Sequence, residues 1–147
     1  MPRYLAIDPG DKRTGLASGD DVSGLVTPIG AIVTGSLGER LRQILKHIDE
    51  QGPDALVLGL PLNMDGTEGP RARKARELAE RLREATGLEV HLADERLSSV
   101  AADEQMAQSG LTHKQKKARR DALAAAAILR EFLRGGGGRE TVSDTVS

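Results

Sequence analysis

Three short, mainly apolar runs constrain the architecture of this chain more than any other feature of its sequence. They lie at residues 4–7, 55–60 and 90–93, and each ends at a turn residue or an acidic residue. Short apolar runs without regular polar alternation predict β-strands that are buried on both faces. A sheet covered on both faces needs helices on each side, so the runs indicate an α/β fold.

The segments that follow the first run predict two further strands. Residues 14–18 can return as the second strand of a hairpin after the Pro9-Gly10 turn, and a third strand is expected at residues 29–33. A hairpin meander followed by βα crossovers makes a mixed sheet. We therefore predict five strands, first antiparallel and then parallel, with helices on both faces.

Helical segments alternate with the later strands. Apolar residues at 3.6-residue spacing, bounded by proline and glycine, identify most of them. The predicted helices are 37–51, 70–86, one from Ser98 or Ser99 to Gln108, and an alanine-rich helix that opens at Asp121. We expect one domain over residues 1–134 and a disordered glycine-rich and polar tail over residues 135–147.

Composition narrows the classes of protein that fit. The chain has 147 residues, no cysteine and a net charge of −1 at pH 7, which predicts one domain without disulfides or thiolate metal sites. The longest apolar run, residues 122–129, is too short to cross a membrane, and we expect no signal peptide before the first strand. We therefore expect a cytoplasmic protein with no membrane partner. Tyr4 and Phe132 are the two aromatic residues, too few for an RRM or a typical OB-fold.

Acidic residues stand where predicted strands stop and where the last helix is expected to begin. Asp8 ends the first strand, Asp94 and Glu95 end the third apolar run, and Asp121 lies on the apolar face of the final helix. Carboxylates in such places are costly unless a positive group sits among them. A divalent metal is the simplest candidate, and a metal held by acids favours phosphodiester chemistry.

Each acid also has a structural interpretation. The residues after Asp8 are common in turns, Asp94 can pair with Arg96, and Asp121 can be a helix N-cap. Alternation along a strand sends Asp94 and Glu95 to opposite faces, so only one of them can join Asp8. We favour Glu95 as that ligand, with Asp94 as an auxiliary ligand or a hydrogen-bond acceptor.

Basic residues are placed to contact phosphates. The clusters at residues 71–76 and 114–120 are either nucleic-acid contacts or solvated helix faces. The loop at residues 59–69 precedes a helix and can present backbone N–H groups to a phosphate, or it can be a flexible connection. The candidate nucleic-acid contacts are Lys12, Arg13, Gly66, Arg71, Arg96, Lys117 and Arg120.

Four motifs in order carry a resemblance to a known family. They are residues 7–17 (IDPGDKRTGLA), 59–69 (GLPLNMDGTEG), 94–99 (DERLSS) and 117–129, which begins KARRD. Over about residues 4–134 the chain resembles the YqgF family, also called RuvX, of Holliday junction resolvase-like nucleases in the RNase H-like superfamily. The resemblance implies a central five-stranded sheet and a metal site formed by Asp8, Glu95 and Asp121. It also implies a role in processing the precursor of small-subunit ribosomal RNA.

The chain departs from the related RuvC resolvases at one position. Those proteins carry a glutamate at the end of the fourth strand, where this chain has Gly59-Leu60-Pro61. Glu95 would have to supply the corresponding ligand from the neighbouring strand.

The leading hypothesis is a nuclease that uses Mg²⁺ or Mn²⁺ to hydrolyse phosphodiester bonds in precursor rRNA. Two ions would activate a water and stabilise the leaving oxygen, with Asp8 as the bridging ligand. The alternatives are a Holliday junction resolvase or DNA repair nuclease acting on branched or single-stranded DNA, and a catalytically weak nucleic-acid-binding module. Resolvases are normally dimers, and the sequence leaves a monomer and a homodimer open.

Overall fold

The described part of the chain forms one mixed sheet with three helices. The structure, a computed structural model, describes residues 2–97, 112–135 and 138–142. The strands are β1 (Arg3–Pro9), β2 (Arg13–Asp20), β3 (Val26–Val33), β4 (Ala55–Leu60), β5 (Val90–Asp94) and β6 (Gly138–Val142). The helices are α1 (Leu37–Gln51), α2 (Pro70–Thr86) and α3 (His113–Leu133), and a 3₁₀ turn, Glu95–Leu97, follows β5.

The sheet combines an antiparallel and a parallel half around β1. Its strand order is β3-β2-β1-β4-β5-β6. Strand β1 pairs antiparallel with β2, in a register that sets Asp8 opposite Gly15, and parallel with β4. Strand β5 continues the parallel half. The prediction of an antiparallel meander followed by parallel strands is therefore confirmed.

Helices cover both faces of the sheet, as predicted. Helices α1 and α2 pack on one face against large aliphatic side chains such as Leu5, Leu58 and Leu92. Helix α3 packs on the other face, where Ala6 and Ala93 belong to the core. Small residues on that face let the helix lie close to the strands. Because side chains alternate along β1, Asp8 shares the α3 face with Ala6.

The bounds of α1 and α2 match the sequence prediction because their end signals are local. The hydroxyl of Ser36 accepts a hydrogen bond from the Glu39 N–H at the start of α1. Pro70 opens α2, a position that needs no backbone donor. Gly52 ends α1 with a left-handed φ of 60°, which glycine adopts without a steric penalty.

Helix α3 begins eight residues before the predicted start, at His113 rather than Asp121. Thr112 is its N-cap and forms a capping box with Gln115. The interpretation of Asp121 as an N-cap is therefore wrong, and the basic cluster at residues 114–120 belongs to the helix. The helix expected over residues 98–108 falls outside the described residues.

The sheet has six described strands instead of five. Residues 138–142, expected to be disordered, form β6 antiparallel to β5. Glu140 of β6 lies 2.7 Å from the guanidinium of Arg76, and the Thr141 hydroxyl lies 2.9 Å from Nδ1 of His91. A polar segment can pair in this way because backbone hydrogen bonds at a sheet edge do not require apolar side chains. Among the described helices, none is long and apolar enough to cross a membrane.

Candidate active site

An open cleft of about 490 Å³ lies at the carboxyl ends of the parallel strands, the edge where α/β sheets commonly bind ligands. The turn between β1 and β2 forms one wall. The cleft brings together all three predicted site acids and several predicted phosphate contacts. Its lining residues are Asp8, Pro9, Gly10, Asp11, Lys12, Arg13, Arg71, Glu95 and Asp121.

Asp8 lies near the end of β1 with part of its surface facing the cleft. The pKa of its carboxyl group is raised well above the ordinary value, first because burial penalises the charged form. A hydrogen bond to Glu95 and the negative charges of Glu95 and Asp121 raise the pKa further, while the nearby Arg71 opposes them. The protonated form of the Asp8 carboxyl group is therefore favoured in this site.

Glu95 reaches Asp8 across a glycine of the strand between them. A Cβ atom placed on Gly59 of β4 would lie 3.1 Å from Oε2 of Glu95 and 3.5 Å from Oδ1 of Asp8. The carboxyl group of Glu95 thus lies above β4, where a longer side chain at position 59 would otherwise stand. The same Cβ atom would lie 2.9 Å from Cδ1 of Ile128. The side chains of Glu95, Asp8 and Ile128 therefore already occupy the space above Gly59.

A second glycine sets the position of Asp121. A Cβ atom on Gly15 of β2 would overlap the backbone carbonyl group of Asp121. Helix α3 therefore rests directly on β2 at the residue that pairs with Asp8. Because glycine has no side chain, the backbone of α3 can approach β2 closely at this residue. The close approaches at Gly15 and Gly59 were not predicted from the sequence, although both glycines belong to the motifs at residues 7–17 and 59–69.

Arg13 holds the carboxylate of Asp121. Its Nε atom donates to Oδ2 of Asp121 at 2.6 Å, and the two side chains are 33% and 25% exposed. Ion pairs with this much solvent contact contribute about 0–1 kcal/mol, so a stronger cation can displace the guanidinium. Arg13 was predicted to contact phosphate, and in this structure it neutralises a site acid.

Asp94 and Arg96 form the ion pair that sequence analysis gave as the alternative to metal binding. Nη2 of Arg96 donates to Oδ2 of Asp94 at 2.6 Å, and the Asp94 side chain is 9% exposed. Nη1 of Arg96 also donates to the carbonyl oxygen of Met64 at 3.3 Å. Arg96 therefore ties the loop at residues 61–69 to the end of β5. Asp94 is turned away from the α3 face on which Asp8 lies.

The other predicted nucleic-acid contacts fall into three places. Lys12 and Arg71 line the cleft. Gly66 lies in the loop held by Arg96 and has a left-handed φ of 87°. Lys117 and Arg120 are exposed on α3 within about one turn of Asp121. The cleft is thus acidic at its floor and basic around its rim, a pattern that fits a metal-assisted reaction on a phosphate group.

The donor set of the cleft suits a hard divalent cation. Among the residues that the structure describes, no three acidic or histidine side chains already form a complete metal-binding group. Asp8 and Glu95 nevertheless lie together, and Asp121 is held beside them by a displaceable arginine. Carboxylate oxygens are the ligands that Mg²⁺ and Mn²⁺ prefer. A cation would relieve the repulsion that raises the Asp8 pKa, so the residues fit such an ion.

Structural comparison identifies the fold. RuvC of Thermus thermophilus in complex with a Holliday junction substrate superposes with a TM-score of 0.58 over 95% of this chain and 99% of that chain, at 15% identity. A fowlpox virus resolvase in complex with Holliday junction DNA superposes with a TM-score of 0.55 over 89% of this chain and 98% of that chain, at 13% identity. The likeness shows that the chain has the RNase H-like fold of these proteins.

Sequence comparison identifies the family. A protein of Acidiphilium cryptum is 41% identical over 89% of this chain and 83% of its own length. A protein of an Anaeromyxobacter species is 42% identical over 90% of this chain and 97% of its own length. Both carry the name "Putative pre-16S rRNA nuclease". Residues 2–135 match the family RuvX, described as Holliday junction resolvase. The chain belongs to the RuvX family of nucleases.

Proposed function

We propose that this protein is a divalent-metal-dependent nuclease that hydrolyses phosphodiester bonds in the precursor of 16S ribosomal RNA. The observation that carries the proposal is the convergence of Asp8, Glu95 and Asp121 in one cleft with a basic rim. The perturbed protonation of Asp8 adds to it, because functional sites are where pKa values are most often displaced. Retention of all three acids counts against a module that only binds nucleic acid.

The three acids of the cleft have roles in the proposed reaction. Asp8, Glu95 and Asp121 would hold the metal. A bound divalent cation supplies Lewis acidity and lowers the pKa of water. Because water is the nucleophile, the chain needs no nucleophilic side chain.

The basic residues position the substrate. Lys12 and Arg71 lie on the rim, where they would orient the phosphate whose bond is cut. Arg13 would keep the Asp121 carboxylate in place, and its guanidinium at the cleft would also attract the substrate phosphate. Arg96 contributes through the loop that it holds, because its guanidinium is engaged by Asp94 and by a backbone carbonyl.

The relatives favour ribosomal RNA over branched DNA. Proteins about 40% identical to this chain over nearly its full length are named for pre-16S rRNA, whereas the resolvases that share its fold are 13–15% identical. Cleavage of four-way DNA junctions is the second candidate, because the family description names that activity.

A cleavage assay on three substrates tests the proposal. The full chain is incubated with precursor 16S rRNA, single-stranded DNA and a four-way DNA junction, each with Mn²⁺ and with EDTA. We expect Mn²⁺-dependent cleavage of the precursor RNA, and Asp8→Asn should lower its rate more than about 100-fold, beyond the effect typical of residues that only support a metal ligand. Asp49→Asn, the same change at an exposed position of α1, should leave the rate unchanged.

Two results would overturn the assignment. Cleavage that persists in EDTA would remove the metal from the reaction. Equal loss of activity in Asp8→Asn and Asp49→Asn would show that the acids of the cleft have no special role. Faster cleavage of the four-way junction than of the RNA would favour the second candidate.

A further inference from the structure

A second cavity of about 210 Å³ lies on the other side of the β1–β2 turn from the acidic cleft. Its walls come from that turn, from the first turns of α1 and from α2. Pro9, Gly10, Asp11 and Arg71 line both cavities, so the two spaces adjoin at the turn. A nucleic-acid strand in the acidic cleft would therefore pass beside this second cavity.

Arg40 provides a positive charge that its surroundings do not fully satisfy. One of its terminal nitrogens, Nη2, donates to the backbone carbonyl oxygens of Asp11, at 2.5 Å, and Thr34, at 3.2 Å. Its Nε atom is buried with no hydrogen-bond acceptor within the described residues. Neutral carbonyls do not cancel a charge, so the guanidinium can still attract an anion. Arg40 occurs in no ion pair of the described part of the chain.

Two further cations stand at the rim of the cavity. Arg71 and Lys74 are exposed on the first turns of α2, and within residues 2–97, 112–135 and 138–142 neither forms an ion pair. Two acids also line the cavity. Glu77 is paired with Arg81, whose Nη2 lies 3.3 Å from its Oε1, and Asp11 offsets part of the charge of Arg40. Arg71 and Lys74 therefore leave the cavity with a positive balance.

We propose that this cavity is a second phosphate subsite, which binds the backbone of the nucleic-acid strand beside the bond that is cut. The inference rests on the proposed function, because the acidic cleft defines where the strand lies. Arg40 would form the inner contact, and Arg71 and Lys74 would form the outer ones. Arg71 faces both spaces and would bridge neighbouring phosphates.

The cavity recognises backbone and not base. The two aromatic residues of the chain, Tyr4 and Phe132, contact each other with ring centroids 5.5 Å apart, and neither lines the cavity. Its apolar wall consists of aliphatic side chains such as Leu37 and Leu78. Without aromatic stacking, affinity depends on phosphate contacts, which do not distinguish sequences.

Binding of single-stranded RNA without catalysis tests the subsite. Fluorescence anisotropy of a labelled RNA oligonucleotide is measured with the full chain in EDTA over a range of NaCl concentrations. We expect Lys74→Gln and Arg40→Lys to weaken binding roughly three- to tenfold. Lys74→Gln removes a charge and should also reduce the slope of log K against log salt by about 0.7, whereas Arg40→Lys keeps its charge and should leave that slope unchanged. Lys46→Gln, an exposed lysine of α1 outside both cavities, should bind as the unchanged protein does.

The outcomes separate this inference from the proposed function. If both variants bind RNA with the original affinity and salt slope, the subsite does not exist, whatever the cleavage assay shows. If Lys46→Gln loses as much affinity as Lys74→Gln, binding depends on total charge and the inference also fails. Selective loss in Lys74→Gln and Arg40→Lys supports the subsite even if Mn²⁺-dependent cleavage is absent. Lys74 is exposed, so its replacement leaves folding intact.

Discussion

At the scale of single residues, the raised pKa of Asp8 makes the stability of the folded protein depend on pH. Burial and the neighbouring acids raise its pKa, so the folded protein binds this proton more tightly than the unfolded chain does. The stabilisation is complete at pH values below the ordinary pKa of 3.8 and is lost as the pH rises through the raised value. Without metal, the free energy of unfolding should therefore fall over that range.

Replacement of Asp8 by asparagine tests whether ionisation of Asp8 lowers the free energy of unfolding. Asp8→Asn removes the ionisable group, so in EDTA at pH 8 the variant should be more stable than the unchanged protein by more than the roughly 0.5 kcal/mol typical of surface changes. The difference should shrink toward pH 4. Urea unfolding at the two pH values measures it. A variant that is markedly less stable at pH 8 would make Asp8 a structural turn residue.

The three acids were accessible from sequence, but the arginine that pairs with Asp121 was not. Asp8 and Glu95 stand at strand ends, and Asp121 stands on an apolar helix stripe, so local pattern was enough to select them. The contact between Arg13 and Asp121 joins residues 108 positions apart. Such a contact depends on how α3 docks on β2, which local periodicity does not determine.

At the scale of elements, close approach of α3 to the sheet sets the width of the cleft. Gly15→Ala adds a Cβ atom that would overlap the Asp121 carbonyl group. Because α3 must shift, we expect a loss of about 1–3 kcal/mol in unfolding free energy together with slower cleavage. Urea unfolding and the cleavage assay measure the two effects.

A matched glycine serves as the control for this change. Gly30 lies on β3, and a Cβ atom there would meet no atom within 4 Å. Gly30→Ala should change unfolding free energy by less than about 0.5 kcal/mol and leave cleavage intact. If Gly15→Ala behaves in the same way, the packing of α3 does not control the site.

The start of α3 shows how a local signal was overlooked. Thr112 and Gln115 have the spacing of a capping box, the usual sign of a helix N-terminus. The prediction instead placed the start at Asp121, where the apolar periodicity begins. The two exposed basic turns contribute little to that periodicity, so the amphipathic pattern located the buried part of the helix and not its end.

At the scale of the whole molecule, the tail completes the sheet. Strand β6 covers the edge of β5 and brings Glu140 to Arg76. The polar composition of this segment, taken alone, predicts disorder. Its order comes from pairing with β5, a strand that is distant in sequence, and local composition does not reveal that pairing. The arrangement of an antiparallel meander followed by parallel strands and the bounds of α1, α2 and β4 followed from local patterns, whereas this edge strand did not.

Removal of residues 136–147 tests the contribution of β6. Loss of the backbone hydrogen bonds between β5 and β6 and of the ion pair between Arg76 and Glu140 should lower the unfolding free energy by about 1–3 kcal/mol. Cleavage should stay within about twofold of the full chain, because β6 contributes no residue to the cleft. An unchanged unfolding curve would show that the segment does not pair with β5.

The central claim is that Asp8, Glu95 and Asp121 share a divalent cation. Isothermal titration with Mn²⁺ at pH 8 tests it without any substrate. We expect saturable binding by the full chain and by Asp49→Asn, and affinities at least about tenfold weaker for Asp8→Asn and Glu95→Gln. Equal Mn²⁺ affinity in all four proteins would contradict the account.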